Sequence, residues 1–119
     1  MENEAPPLID VRDADGTAVV RVVCPELRQP AQAIELGEQI SALIASERYD
    51  RLLLDFEPVQ YMGSTGFATL IVLVKQANKR GIRLALFNLQ PEVRFGAEIL
   101  GMGALIPIHD DEPAALAAP

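Results

Sequence analysis

Two hydroxyls stand side by side between glycines in Tyr61-Met62-Gly63-Ser64-Thr65-Gly66-Phe67. A buried-looking strand leads into this stretch through a short loop, and a helix-patterned segment leaves it. The hydroxyls therefore fall at a helix N-terminus, where backbone N–H groups lack partners and the helix dipole favours negative charge. A phosphate is well tolerated at such a place. Ser64 suits a phosphoacceptor, exposed at a helix start with a neighbouring glycine that gives a kinase access. The ordinary alternative is an N-cap, in which Ser64 or Thr65 accepts an N–H bond from the first turn and contributes about 1 kcal/mol. Nucleophilic catalysis has no positive support: no G-x-S-x-G elbow surrounds Ser64, and the only histidine, His109, follows the last strand.

Asp55 is the second candidate, an acid at the end of an apolar strand. An aspartate so placed also marks the phospho-accepting site of response-regulator receivers, and Leu52-Leu53-Leu54-Asp55 followed by Pro58 suits that reading. The rest of the receiver pattern is missing. Cys24-Pro25-Glu26 stands where an acidic pair would hold Mg²⁺, and His109-Asp110-Asp111 follows the last strand without a lysine. The simpler role for Asp55 is a bond to the adjacent loop backbone. His109, Asp110 and Asp111 are adjacent in sequence, have no partner cluster and read as a solvated turn, so no metal site is expected. Cys24 reads as a small buried residue or an inert loop thiol. Gly101-Met102-Gly103 follows a helix and reads as its stop, not as a phosphate loop.

The elements that position these residues are legible from their periods. Leu8 to Arg12 and Ala18 to Val23 read as strands joined by the turn Asp13-Ala14-Asp15-Gly16, a β-hairpin. Cys24 to Pro30 carries two prolines and reads as a loop. From Ala31 to Glu47, Leu36, Ile40, Leu43 and Ile44 fall on one helical face. Arg51 to Phe56 contains Leu52-Leu53-Leu54, an apolar run typical of a strand covered on both faces. Ser64 to Arg80 is a second helix, with Lys75, Lys79 and Arg80 toward its C-terminal end and Gly81 as a natural stop. Ile82 to Phe87 is a strand. Pro91 suits the first position of a third helix that runs to about Leu100. Leu105 to Ile108 is a short last strand, with Pro107 hinting at an edge, and Glu112 to Ala118 adds a helical turn or two. The order β β α β α β α β α predicts an α/β fold: one mixed β-sheet, opened by the hairpin, with helices packed on its flank.

Composition narrows the function classes. The 119 residues suit one domain with a real core, residues 8–119 behind a frayed, proline-containing lead-in over residues 1–7. Half of the residues are apolar and Trp is absent, so the core is aliphatic. The formal charge of −7 is lopsided: residues 1–60 carry 12 acids against 5 bases, and residues 61–119 carry 5 of each. Nucleic acid is therefore not the expected partner, because phosphate-backbone binding needs a basic face. One cysteine permits no internal disulfide, which fits a reducing, cytoplasmic compartment. No signal peptide is evident, and the longest apolar run is too short to cross a bilayer, so no membrane insertion is expected.

Taken together, the chain resembles the STAS domain family of anti-sigma factor antagonists over nearly its whole length. Pro25-Glu26-Leu27 matches the family's Gly-Glu-Leu-like loop, Leu54-Asp55 its strand ending in Asp, and Tyr61 to Phe67 its apolar-Met/Ile-Asp-Ser-Ser/Thr-Gly motif. Leu100-Gly101-Met102-Gly103-Ala104-Leu105 matches the Gly-Leu segment before the last strand. The resemblance implies a non-enzymatic, bacterial partner-switching phosphoprotein in transcription regulation. Ser64 takes the place of the phosphorylated hydroxyl, and Met62, Gly63, Thr65, Gly66, Glu26 and Arg28 that of the partner-binding surface, with Asp55 in support. The partner is an anti-sigma factor that is also an ATP-dependent serine kinase, so ATP and Mg²⁺ are its cofactors and none is expected here; a phosphatase reverses the mark. Because the family also includes subunits of membrane transport systems, a non-phosphorylated scaffold or transport-accessory role is the alternative, with the receiver-like use of Asp55 as another. Two positions depart from the family: Gly63 stands where it usually has Asp, and Arg28 where it often has Asp. Gly63 leaves the backbone free to adopt positive φ.

Overall fold

The computed structural model describes residues 7–119; residues 1–6 of the expected lead-in lie outside the described residues. The chain opens with strands β1 (Ile9–Ala14) and β2 (Thr17–Val22). Asp15 and Gly16 join them with φ of 51° and 82°. Two consecutive positive φ values make a mirror-image turn, whose twist matches that of the strands, and Asp-Gly is a favoured pair for it. Then come β3 (Glu26–Leu27), helix α1 (Pro30–Ala45), β4 (Arg51–Asp55), β5 (Tyr61–Met62), helix α2 (Ser64–Lys79), β6 (Arg83–Phe87), helix α3 (Pro91–Ile99), a 3₁₀ turn (Met102–Ala104), β7 (Ile108–His109) and helix α4 (Glu112–Ala117).

Five strands form one mixed sheet in the order β1-β2-β4-β6-β7, antiparallel between β1 and β2 and parallel elsewhere. Alternation along each strand sends Ala18, Val20, Leu52, Leu54, Leu84 and Leu86 into the main core, with Leu36, Ile40 and Ile44 of α1 and Leu70, Leu73 and Ala77 of α2. The intervening Val19, Leu53, Ala85 and Phe87 face the other way and pack with Ala115 of α4. This explains why Leu52-Leu53-Leu54 is unbroken: both faces of β4 are covered. Arg51 fastens α4 over that second face, donating to the carbonyls of Ala115, Leu116 and Ala118 at the helix's C-terminal end, where a cation suits the dipole.

The helix ends follow their sequence signals. Gly81 has φ of 71°, and the N–H groups of Gly81 and Ile82 donate to the Asn78 and Ala77 carbonyls, a Schellman stop. Close packing sets the spacing of α1 against α2, since a Cβ on Gly37 would lie 2.9 Å from Thr69 Cγ2.

Two expectations are corrected. The segment from Cys24 to Pro30 is not all loop: Glu26–Leu27 pairs in parallel with Tyr61–Met62 as a second, two-stranded sheet. Two residues between prolines are too few to show a period, so pairing shows only once the chain is folded. The last strand also lies further along than Leu105 to Ile108. Met102–Ala104 closes a 3₁₀ turn instead, and the Leu105 and Ile106 N–H groups donate to the Met102 carbonyl. Pro107 has no N–H for a ladder and only accepts, from the Leu86 N–H.

Candidate functional site

The two-stranded sheet builds the site. Pairing of Leu27 with Met62 continues into a bond from the Gly63 N–H to the Leu27 carbonyl at 3.0 Å. Glu26, Leu27 and Arg28 are thereby held against Tyr61, Met62 and Gly63 at the entrance to α2. Arg28 Nε donates to Glu26 Oε1 at 2.7 Å, and its guanidinium lies 4.2 Å over the Tyr61 ring. The Glu26 carboxylate keeps the Arg28 proton bound more firmly than usual.

Ser64 is the first residue of α2, and Gly63 is the N-cap. The capping role considered for Ser64 and Thr65 is therefore not used: the Gly63 carbonyl accepts from Gly66 and Phe67 through the backbone alone. The Ser64 side chain is exposed and, among the described residues, its hydroxyl makes no hydrogen bond. The N–H groups of Ser64 and Thr65 likewise have no acceptor there. An unengaged hydroxyl sits beside two free donors at the positive end of a helix dipole.

Gly63 does not use its conformational freedom. Its φ is −82°, and the nearest atom to a Cβ placed on it would be the Leu27 carbonyl oxygen at 3.6 Å. Gly66, by contrast, is required by space: a Cβ there would collide with Met62 Cγ and lie 2.9 Å from its Sδ. Met62 and Gly66 are both buried. Neither can form the partner surface expected of it; they pack on each other below that surface and fix the start of α2. Glu26, Arg28 and Ser64 are exposed, and Gly63 and Thr65 half-buried.

Asp55 is 5% exposed and fully engaged. One oxygen accepts from the Glu57 N–H at 3.0 Å and from Asn88 Nδ2 at 3.1 Å, and the other from Arg21 Nη1 at 2.9 Å. Arg21 also pairs with Glu57 at 3.0 Å, and these two carboxylates, Glu57 foremost, hold its pKa above the ordinary value. The Asp55 carboxylate thus ties the ends of β4 and β6 together, Asn88 being held at φ of 62°. Occupied on both oxygens, it argues against a receiver-like phosphoacceptor. The 109–111 stretch is not one solvated turn: His109 is half-buried in β7, and Asp111 caps α4 by accepting the Ala114 N–H at 3.0 Å. Among the described residues no cluster of ligands could hold a metal ion, and no helix is long and apolar enough to cross a membrane.

Periodicity alone missed the groove beside Ser64. Thr65, Ala68 and Val72 of α2 face Ile34 and Glu38 of α1 across a mainly apolar groove of about 440 Å³. Ile34 and Val72 line it as exposed apolar side chains. A cavity of about 530 Å³ lies near the opposite end of α2, around Asn78 and Arg83, away from Ser64.

The STAS domain family matches residues 9–115. The chain belongs to that family. The STAS chain is 32% identical over 89 residues to BtrV of Bordetella bronchiseptica, described as a candidate anti-sigma factor antagonist, across 74% of this chain and 75% of that one. A solved anti-sigma factor antagonist from Mycobacterium paratuberculosis superposes with a TM-score of 0.80 at 25% identity, covering 91% of this chain and 89% of that one. The anti-sigma factor antagonist SpoIIAA in its unphosphorylated form gives 0.74 at 22% identity, over 91% and 92%. Its phosphorylated form, from Bacillus, gives 0.68 at 20% identity, over 91% and 96%. By homology and fold this STAS domain groups with the anti-sigma factor antagonists.

Proposed function

We propose that this domain is a phosphorylation-controlled switch, which in its unmodified state sequesters an anti-sigma factor that is also a serine kinase, and that Ser64 is the phosphoacceptor. The reading rests on one observation above all: the exposed Ser64 hydroxyl is left free by the fold at the motif position where the family places its modified residue. ATP and Mg²⁺ belong to the kinase, a phosphatase removes the mark, and the domain itself catalyses nothing. Exposed Glu26 and Arg28 on one side of Ser64, and the α1/α2 groove beside Thr65 on the other, form the contact surface. The setting is the bacterial cytoplasm.

The physics of such a switch is local. A phosphate adds roughly −1.5 to −2 charge and three acceptor oxygens. On Ser64 it would sit by the free Ser64 and Thr65 N–H groups, so the domain has no need to refold. Against a packed partner the same group is bulky, costly to desolvate and repelled by acids. Losing about 3 kcal/mol of interface energy weakens binding more than a hundredfold.

Incubation with the cognate kinase and ATP, read by intact mass, tests the reading. One added phosphate, roughly 80 Da, is expected on the parent chain and none on Ser64→Ala. A mark that persists in Ser64→Ala, or no mark at all, removes the switch and leaves the scaffold role. Ser64→Asp should weaken partner binding.

A further inference from the structure

α3 carries an apolar surface that the switch does not use. Its inner face is accounted for: Val93 and Ala97 enter the core, and Gly96 is packed so closely on Phe67 of α2 that a Cβ would lie 3.0 Å from the ring. Its outer face runs through Glu92, Phe95 and Ile99, spaced i, i+3 and i+7, which is one stripe of a helix. Phe95 is 63% exposed and Ile99 67% exposed, the highest values among the large apolar side chains of the described residues. Leu100 and Leu105, just beyond the helix, are more than half exposed as well. Single exposed apolar residues need no explanation, but a concentration on one element marks a contact surface.

We infer that the Phe95/Ile99 stripe is a second docking surface for the partner that reads Ser64, and that it inserts into an apolar groove rimmed by lysine and arginine. The charge around the stripe selects this occupant. Glu92 and Glu98 are exposed and, among the described residues, form no ion pair, while Arg94 is turned toward Asp110. Basic side chains would complete these two acids. A second copy of the chain would not, because α3 against α3 opposes acid with acid. Position selects the same partner as Ser64. The α3 helix packs against β5, the strand of Tyr61 and Met62, and Arg28 stacks on Tyr61, three residues before Ser64. One protein covering Arg28 and Ser64 therefore reaches α3. The choice of partner rests on the proposed switch; the stripe itself does not.

Titration calorimetry and stopped-flow binding of the full chain to the purified anti-sigma factor kinase of the same cell, without ATP, provide the test. Phe95→Ser is expected to weaken binding about tenfold, since half or more of a phenylalanine's burial is lost. Glu92→Lys with Glu98→Lys should slow association several-fold and flatten its salt dependence, as complementary charge acts mainly on encounter. In kinase assays the same variants should raise KM for the chain and leave kcat unchanged. These side chains point to solvent, so thermal unfolding should match the parent, and the charge-reversed variant stands in should Phe95→Ser lose its fold. Parent-like affinity and rates in both variants overturn the inference; if Ser64→Asp still weakens binding, the switch survives without it. A parent chain that sediments as a dimer and becomes monomeric on Phe95→Ser overturns it in favour of self-association. A kinase that does not bind the parent overturns both.

Discussion

Gly66→Ala sets two known effects against each other at the floor of the site. Alanine is the better helix former by up to about 1 kcal/mol, and less at a third helical position than in an interior. By that measure alone the variant is stabilised. The structure says the opposite term is larger. The new methyl would lie 2.9 Å from Met62 Sδ and closer to Cγ, where about 3.5–4.0 Å is comfortable for carbon. Met62 cannot simply swing into water, because it is buried in the main core beside Leu27 and paired through its backbone to β3. Overpacking of this kind costs about 1–3 kcal/mol. The expected net loss is about 1–2 kcal/mol, a fall in Tm of several degrees for a domain of this size. Urea unfolding followed by circular dichroism measures it. Met62→Ala alone also destabilises, by leaving a cavity. Combined, the two changes should offset, because the added methyl enters the space vacated, with a coupling of at least about 1 kcal/mol. A Gly66→Ala variant as stable as the parent, or additive losses in the double variant, would show that Met62 yields freely and that the close approach fixes nothing.

Asp55→Ala should cost about 3–5 kcal/mol in denaturant unfolding, because the Glu57 N–H and the Asn88 amide lose a buried acceptor together; a loss under 1 kcal/mol would contradict the tie between β4 and β6. Gly63→Asp should leave Tm unchanged or slightly raised, since the φ of −82° suits any residue and an N-cap acid can accept first-turn N–H groups; a marked fall would mean that the site needs glycine after all. Tyr49 donates to Asp13 at 2.7 Å, and that bond, with burial, raises its pKa. Stability from Tyr49 is therefore complete below its ordinary value near 10 and lost as pH rises through the folded value. Absorbance titration should show one late tyrosine, absent in Tyr49→Phe.

The elements with strong periods were legible in the sequence, and those held by two or three bonds were not. Asp15-Gly16, Leu52 to Leu54, the Gly81 stop and Pro91 each announced their structure because one local rule governs each. β3 and β7 are two residues long, and what makes them strands is a partner distant in sequence. The site divided in the same way. The place of Ser64 at a helix start was legible from its neighbours, and Glu26 and Arg28 came from the family pattern, but their attachment to Tyr61 depends on β3. Met62 and Gly66 were placed on the surface because a motif shows which residues matter without showing which way they face. The cap passed from Ser64 to Gly63 for a related reason: capping is decided by one backbone angle, which no composition records.

The strand order β1-β2-β4-β6-β7 has a consequence for how the chain is made. Each strand of the main sheet lies beside the strand laid down before it, so the sheet widens in one direction as synthesis proceeds. The hairpin can close while the rest is still in the ribosome, β4 then meets a finished edge, and β6 and β7 follow in turn. Ser64 arrives midway, on a helix that must wait for β6 before its core face is covered. A nascent chain stalled just beyond α2 would carry Ser64 but not a finished domain around it, so any partner that reads the folded surface would meet it only after the last strands emerge.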